Sequence, residues 1–141
     1  MQFRSMAAVA AACLLTAGVA QAATVHFGAT LKGADEVPSN TTTGTGKVSA
    51  SLDTVTKAFA YEVTYSGLTG PAVAAHFHGP ALPGANAPPM VPMVSLASPI
   101  KASSTLTDAQ IADLTAGKWY FNVHTAAHPG GEIRGQLAKA P

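Results

Sequence analysis

Two imidazoles stand one residue apart in A-H-F-H-G-P, residues 75–80, and V-H-T-A-A-H-P-G-G-E-I-R-G follows at 123–135. Of the chain's 5 histidines, only His26 lies elsewhere; alone on a strand, it reads as an ordinary surface residue. Neutral imidazole ligates copper, zinc and nickel, and it carries protons near neutral pH. On a strand, residues i and i+2 point the same way, so His76 and His78 share a face and can converge on one ion. A second strand carrying His124 beside them would complete three nitrogens. His128, in the turn before Gly130 and Gly131, is the candidate fourth ligand. A nitrogen-only donor set favours copper first and zinc second, whereas magnesium and calcium would require more carboxylates. Met90 and Met93 follow His78 closely and offer thioethers that suit Cu(I); as gap-fillers under a loop they need no such role.

Glu132 and Arg134 lie two apart and flank Ile133. Their plain reading is a cross-strand ion pair on a solvent face, which contributes little stability. Beside a metal, Arg134 would instead guide an anion or support the ligands from behind, and Glu132 would be the only nearby base for a hydrolytic zinc centre. No serine sits in a nucleophile elbow, and no thiol lies near the histidines.

The elements that must hold these side chains read as short strands. Val25, Phe27, Ala29 and Leu31 alternate with polar or small residues. So do Val48, Ala50 and Leu52, and then Phe59, Tyr61, Val63 and Tyr65. In A-V-A-A-H-F-H, residues 72–78, the alternation puts Val73, Ala75 and Phe77 toward the core and the histidines on the reverse. Tyr120, Asn122 and His124 share one face of the next candidate strand, opposite Trp119, Phe121 and Val123, and E-I-R-G-Q-L gives another. Residues 79–93 hold five prolines and predict a long loop without regular structure. One short helix is expected where Thr107 can cap, Gln110 can complete a capping box, and Gly117 can end the helix. The pattern as a whole predicts an all-β Greek-key sandwich or partly closed barrel with one short helix.

The chain begins M-Q-F-R-S-M, continues with an apolar run too short to span a bilayer, and reaches A-Q-A before Ala23. Residues 1–22 therefore read as a cleaved signal peptide and 23–141 as one domain, periplasmic or secreted, with no membrane insertion. Cys13, the only cysteine, falls in the leader. The chain carries 8 Lys and Arg against 7 Asp and Glu; without Arg4 the signs balance. They form no basic stripe, which argues against nucleic-acid binding.

L-K-G-A-D-E-V-P, A-H-F-H-G-P-A, G-A-N-A-P and W-Y-F-N-V-H-T-A-A-H-P-G-G-E-I-R-G-Q-L occur in that order. Together they resemble the CHRD domain, the module named for its repeats in chordin. The resemblance implies a β-sandwich of immunoglobulin-like or superoxide-dismutase-like character and places the family's histidines at His76, His78 and His124. His128 falls where members often carry another polar residue. The arrangement is also similar to copper-zinc superoxide dismutases, with H-x-H on one strand, a distant His on another and an Arg nearby. The second, zinc subsite and the disulfide are missing. The expectation is an exported copper-handling protein, with superoxide-dismutase-like turnover as its enzymatic form. The alternative is a metal-free scaffold module that meets a protein or polysaccharide.

Overall fold

Alternation of apolar and small polar residues builds two facing walls. The computed structural model describes residues 23–141; the leader-like segment lies outside the described residues. Strands β1 (Thr24–Lys32), β2 (Thr45–Asp53), β3 (Ala58–Ser66) and β4 (Ala72–His78) come first, followed by β5 (Pro89–Pro92) and β6 (Ile100–Thr105). Helix α1 (Asp108–Thr115) then leads into β7 (Tyr120–Thr125), β8 (Ile133–Gln136) and the short β9 (Ala138–Lys139). The hydrogen-bonded order is β5-β4-β7-β8-β1-β2-β3-β6, antiparallel at each pairing, with β9 added to β1.

The junction between β8 and β1 is a single register pair, Lys32 with Arg134. The nearly closed barrel therefore behaves as two four-stranded halves folded onto one another, and both architectures expected from the sequence describe it. Between the halves lies an aromatic core. Phe77 of β4 meets Phe59 and Tyr61 of β3 edge-on at 5.3 and 4.9 Å between ring centres, and Phe121 of β7 at 4.8 Å. These are favoured quadrupolar geometries, each adding about 1 kcal/mol beyond the area buried. Phe59, Phe77, Trp119, Phe121, Val123 and Ile133 are fully buried.

Helix α1 forms as the sequence predicts. The Thr107 hydroxyl accepts from the Gln110 amide while the Gln110 side chain accepts from the Thr107 amide, and Gly117 follows at φ +71°. In a left-handed conformation a glycine carries no Cβ penalty.

Two expectations are corrected. Residues 79–93 do contain a regular element, since Pro89–Pro92 pairs with β4 as the first strand of the sheet. A proline cannot donate to a ladder, but an edge strand has one side with no ladder to complete. Val73 does not face the core and is 57% exposed. The β4–β7 register shifts between Ala72 and Ala74, which breaks the two-residue alternation there.

Phe77 separates His76 from His78 along β4 and anchors that strand in the core. Phe77→Ala is expected to lower the unfolding free energy by about 3–5 kcal/mol, measured by urea denaturation of the metal-free protein.

Candidate metal centre

The β4–β7 register decides which side chains meet on the outer face of that half. His76 lies opposite Asn122, His78 opposite Tyr120, and Ala74 opposite His124. The methyl group of Ala74 leaves space over its position, and His124 reaches diagonally toward His76, as cross-strand neighbours two residues removed can. One ring nitrogen of each of His76, His78 and His124 lies within 4.8 Å of the others. His76 Nδ1 and His124 Nε2 are 3.3 Å apart.

The nitrogens pointing away from the cluster are held by the backbone. His78 Nδ1 donates to the Ala87 carbonyl at 2.9 Å, and His124 Nδ1 donates to the Pro129 carbonyl at 2.9 Å. Each bond fixes a tautomer and leaves Nε2 as a bare lone pair, the usual support behind a metal-ligating histidine. His78 Nε2 is buried and has no hydrogen-bond partner. Burial, followed by the neighbouring His124 and His78, holds the His76 pKa below its ordinary 6.5. Burial also lowers that of His78, outweighing the opposing Ala87 hydrogen bond. Both effects favour the neutral ring that a metal requires.

A stack of three side chains backs the cluster. The His78 ring lies parallel to Tyr120, 4.7 Å between centres and 4° between planes. The Arg134 guanidinium carbon sits 3.4 Å from the centre of the same phenol ring. Strands β4 and β8 flank β7 on opposite sides, so Tyr120 is held between a histidine and a cation. The Tyr120 hydroxyl donates to Ala87 O at 3.2 Å, the carbonyl that also receives His78 Nδ1–H. Arg134 donates to Asn86 Oδ1 at 2.9 Å and to Ala85 O at 2.7 Å. Asn86 in turn donates to Val37 O at 3.0 Å. The loop after β4 is thereby drawn over the sheet as a lid of backbone acceptors.

The expected surface ion pair does not form. Arg134 is 2% exposed and Glu132 is fully buried, and they bind different partners. The guanidinium is committed to Asn86 and Ala85 and sits behind the histidine cluster. Glu132 accepts from the hydroxyls of Thr42 (2.6 Å), Thr69 (2.7 Å) and Thr125 (2.6 Å), and from the Thr69 amide (2.8 Å). Burial alone would raise its pKa, but these four donors together lower it to about 2. A carboxylate that acidic is a poor proton acceptor, which removes it as the base of a hydrolytic centre.

His128 stands outside the three-nitrogen group. Its backbone closes the β7–β8 turn, receiving from Gly131 N at 3.0 Å and donating to Thr125 O at 3.1 Å. Met90 and Met93 pack against the hydrophobic core, and His26 is exposed on β1. Glu36 and Asn122 are buried beside the stack, and no role for either was legible in the sequence. The only signals were the shared face of Tyr120, Asn122 and His124, and the second of the two acidic residues within L-K-G-A-D-E-V-P.

The CHRD domain family matches residues 27–137. Comparison with curated proteins and with solved structures found no significant match to either.

Because its folded pKa is depressed, Glu132 contributes stability that is complete above its unfolded value of 4.5 and is lost as pH falls toward 2. Glu132→Gln is expected to cost about 2–3 kcal/mol at pH 7. The gap from wild type should narrow by pH 3 in urea denaturation curves.

Proposed function

From the premise that the chain belongs to the CHRD domain family, which by itself names no chemistry, we propose that it binds a transition-metal ion through His76, His78 and His124. Copper is the first choice and zinc the second. The observation that carries this reading is the convergence of three ring nitrogens, two of them on rings whose tautomers the backbone has already set. With His78 and His124 held as Nδ1–H tautomers, bare lone pairs face a small common space. A buried acceptor left without a partner costs about 1–3 kcal/mol, and a cation relieves that cost. Two donors each about 2 Å from a tetrahedral ion stand roughly 3.3 Å apart, which matches the 3.3 Å between His76 Nδ1 and His124 Nε2. Small ring rotations close the wider separations.

Three nitrogen donors bind Cu(II) more tightly than Zn(II) by the general order of divalent affinities. Three protein ligands also leave a coordination position open. Arg134 is committed to Asn86 and Ala85, so nothing in the layer is arranged to collect an anionic substrate. Capture and handling of the ion therefore fit the site better than turnover. The leader-like first 22 residues favour the periplasm or the extracellular space as the place where this happens.

Calorimetric titration with Cu(II) and with Zn(II) is expected to give one ion per chain. His78→Ala should weaken binding by more than about 100-fold, beyond what altering the groups behind a ligand does. Affinity should fall steeply below about pH 6.5, as protons compete for the rings. Uptake that survives replacement of all three histidines would defeat this reading and leave a scaffold module.

A further inference from the structure

Besides Glu132, Glu36 is the one buried carboxyl among the described residues, at 5% exposure. It follows the 3-10 turn Gly33–Asp35, and it lies where two surface clefts meet. One cleft is lined by Asp35, Arg134 and Gln136, and the other by Asn40, His128 and Gly131. Gly131 adopts φ +131°, and a Cβ there would collide with the Glu36 carboxyl and the Asn122 amide. The backbone has been thinned at this point so that the two side chains can meet.

Asn122 is the neighbour the two sides share. It lies opposite His76 in the register, and its amide nitrogen and the Glu36 carboxyl crowd the same space above Gly131. Three buried polar atoms along this line have no hydrogen-bond partner: His78 Nε2, Asn122 Oδ1 and Glu36 Oε1. Glu132 is saturated by four donors and already ionised, whereas Glu36 retains an oxygen with nothing bound to it. The charged group facing Glu36 is Arg134 from β8, with Asn122 from β7 as its neutral neighbour and Asp35 and His128 at the mouths of the clefts.

Resting on the metal reading above, we propose that Glu36 is the counter-charge of the centre, a carboxyl that gives up its proton when the three histidines take up a divalent cation. The layer already contains the buried positive charge of Arg134, stacked on the ring that also stacks on His78. An added dication raises the positive potential throughout this poorly solvated space, and an opposite charge nearby favours the ionised form of a carboxyl. The O–H bond of Glu36 breaks, its electron pair stays on the carboxylate, and the proton passes to buffer through either cleft. Before uptake, burial holds the group largely protonated up to about pH 7, with Arg134 and Asn122 opposing. Uptake and proton release are therefore one event at neutral pH, and the centre's affinity rises as pH climbs toward 7.

The test uses Zn(II), which is redox-silent, titrated calorimetrically into wild type and Glu36→Gln at pH 7 in buffers of different ionisation enthalpy. Wild type should release about half a proton more per ion than the variant, the share of a carboxyl with pKa near 7 that is still protonated there. Glu62→Gln, which removes an exposed carboxylate paired with Lys101, should match wild type. In wild type alone, the infrared carbonyl band of a protonated carboxyl should disappear as Zn(II) is added, a readout that does not depend on the variant folding. Equal proton counts in wild type and Glu36→Gln, or a carbonyl band that persists in the Zn(II)-loaded protein, overturn the proposal while leaving the three-histidine site intact. No uptake of Zn(II) by wild type sinks both.

Discussion

Tyr120 is held between His78 and Arg134, and the organisation of the outer layer depends on that stack. A sheet packed on one face would normally leave the other to water, and β7 does not: Tyr120 and Asn122 are as buried as Trp119 and Phe121 on the core side. The phenol ring supplies apolar area to the histidine and a negative π face to the guanidinium. Its hydroxyl fastens the loop after β4 through Ala87. Without that ring, Arg134 would be a buried cation lacking its face-on partner, and the His78 imidazole would be free to turn. The orientation of the candidate ligands is thus a product of packing as much as of hydrogen bonding.

Two glutamates in this layer illustrate how environment decides charge. Glu132 and Glu36 are both buried, yet one is held near pKa 2 and the other near 7. The difference lies in the number of donors: three threonines surround Glu132, while Glu36 is left with a free oxygen. Their contributions to stability have opposite signs across the acid range. The Glu36 contribution is present below its unfolded 4.5 and is lost as pH rises through 7, whereas the Glu132 contribution disappears in acid. The layer therefore has no single pH at which every carboxyl is at its most favourable.

The strands, the capped helix and the shared face of His76 and His78 were legible because each rests on a local rule, whether alternation, capping or side-chain direction along a strand. The meeting of His124 with His76 required a register, and register is set by pairings between distant segments. Val73 shows the same limit from the other side, since a shift in pairing with β7 turned it outward against its pattern. The burial of Arg134 and Glu132 was not legible either. Alternation predicts that they face away from Ile133, but not that a proline-rich loop and a threonine-bearing turn cover that side. Glu36 was hidden for the related reason that its partners, Asn122 and Arg134, lie far along the chain.

The prolines that open and close β5 have a consequence at the level of the population rather than the single molecule. A continuous row of strands that does not fully close ends in two rims, and a rim with free amide groups can recruit a strand from a neighbouring chain. At the β5 rim, Pro89 and Pro92 have no amide hydrogen to offer, so a foreign strand would find gaps in any ladder it tried to build. At the β6 rim, Lys101 places a positive charge on the flank. A neighbouring copy would thus meet an interrupted ladder at one rim and an ion pair at the other, and the interruption comes from the same residues that keep the strand after His78 short.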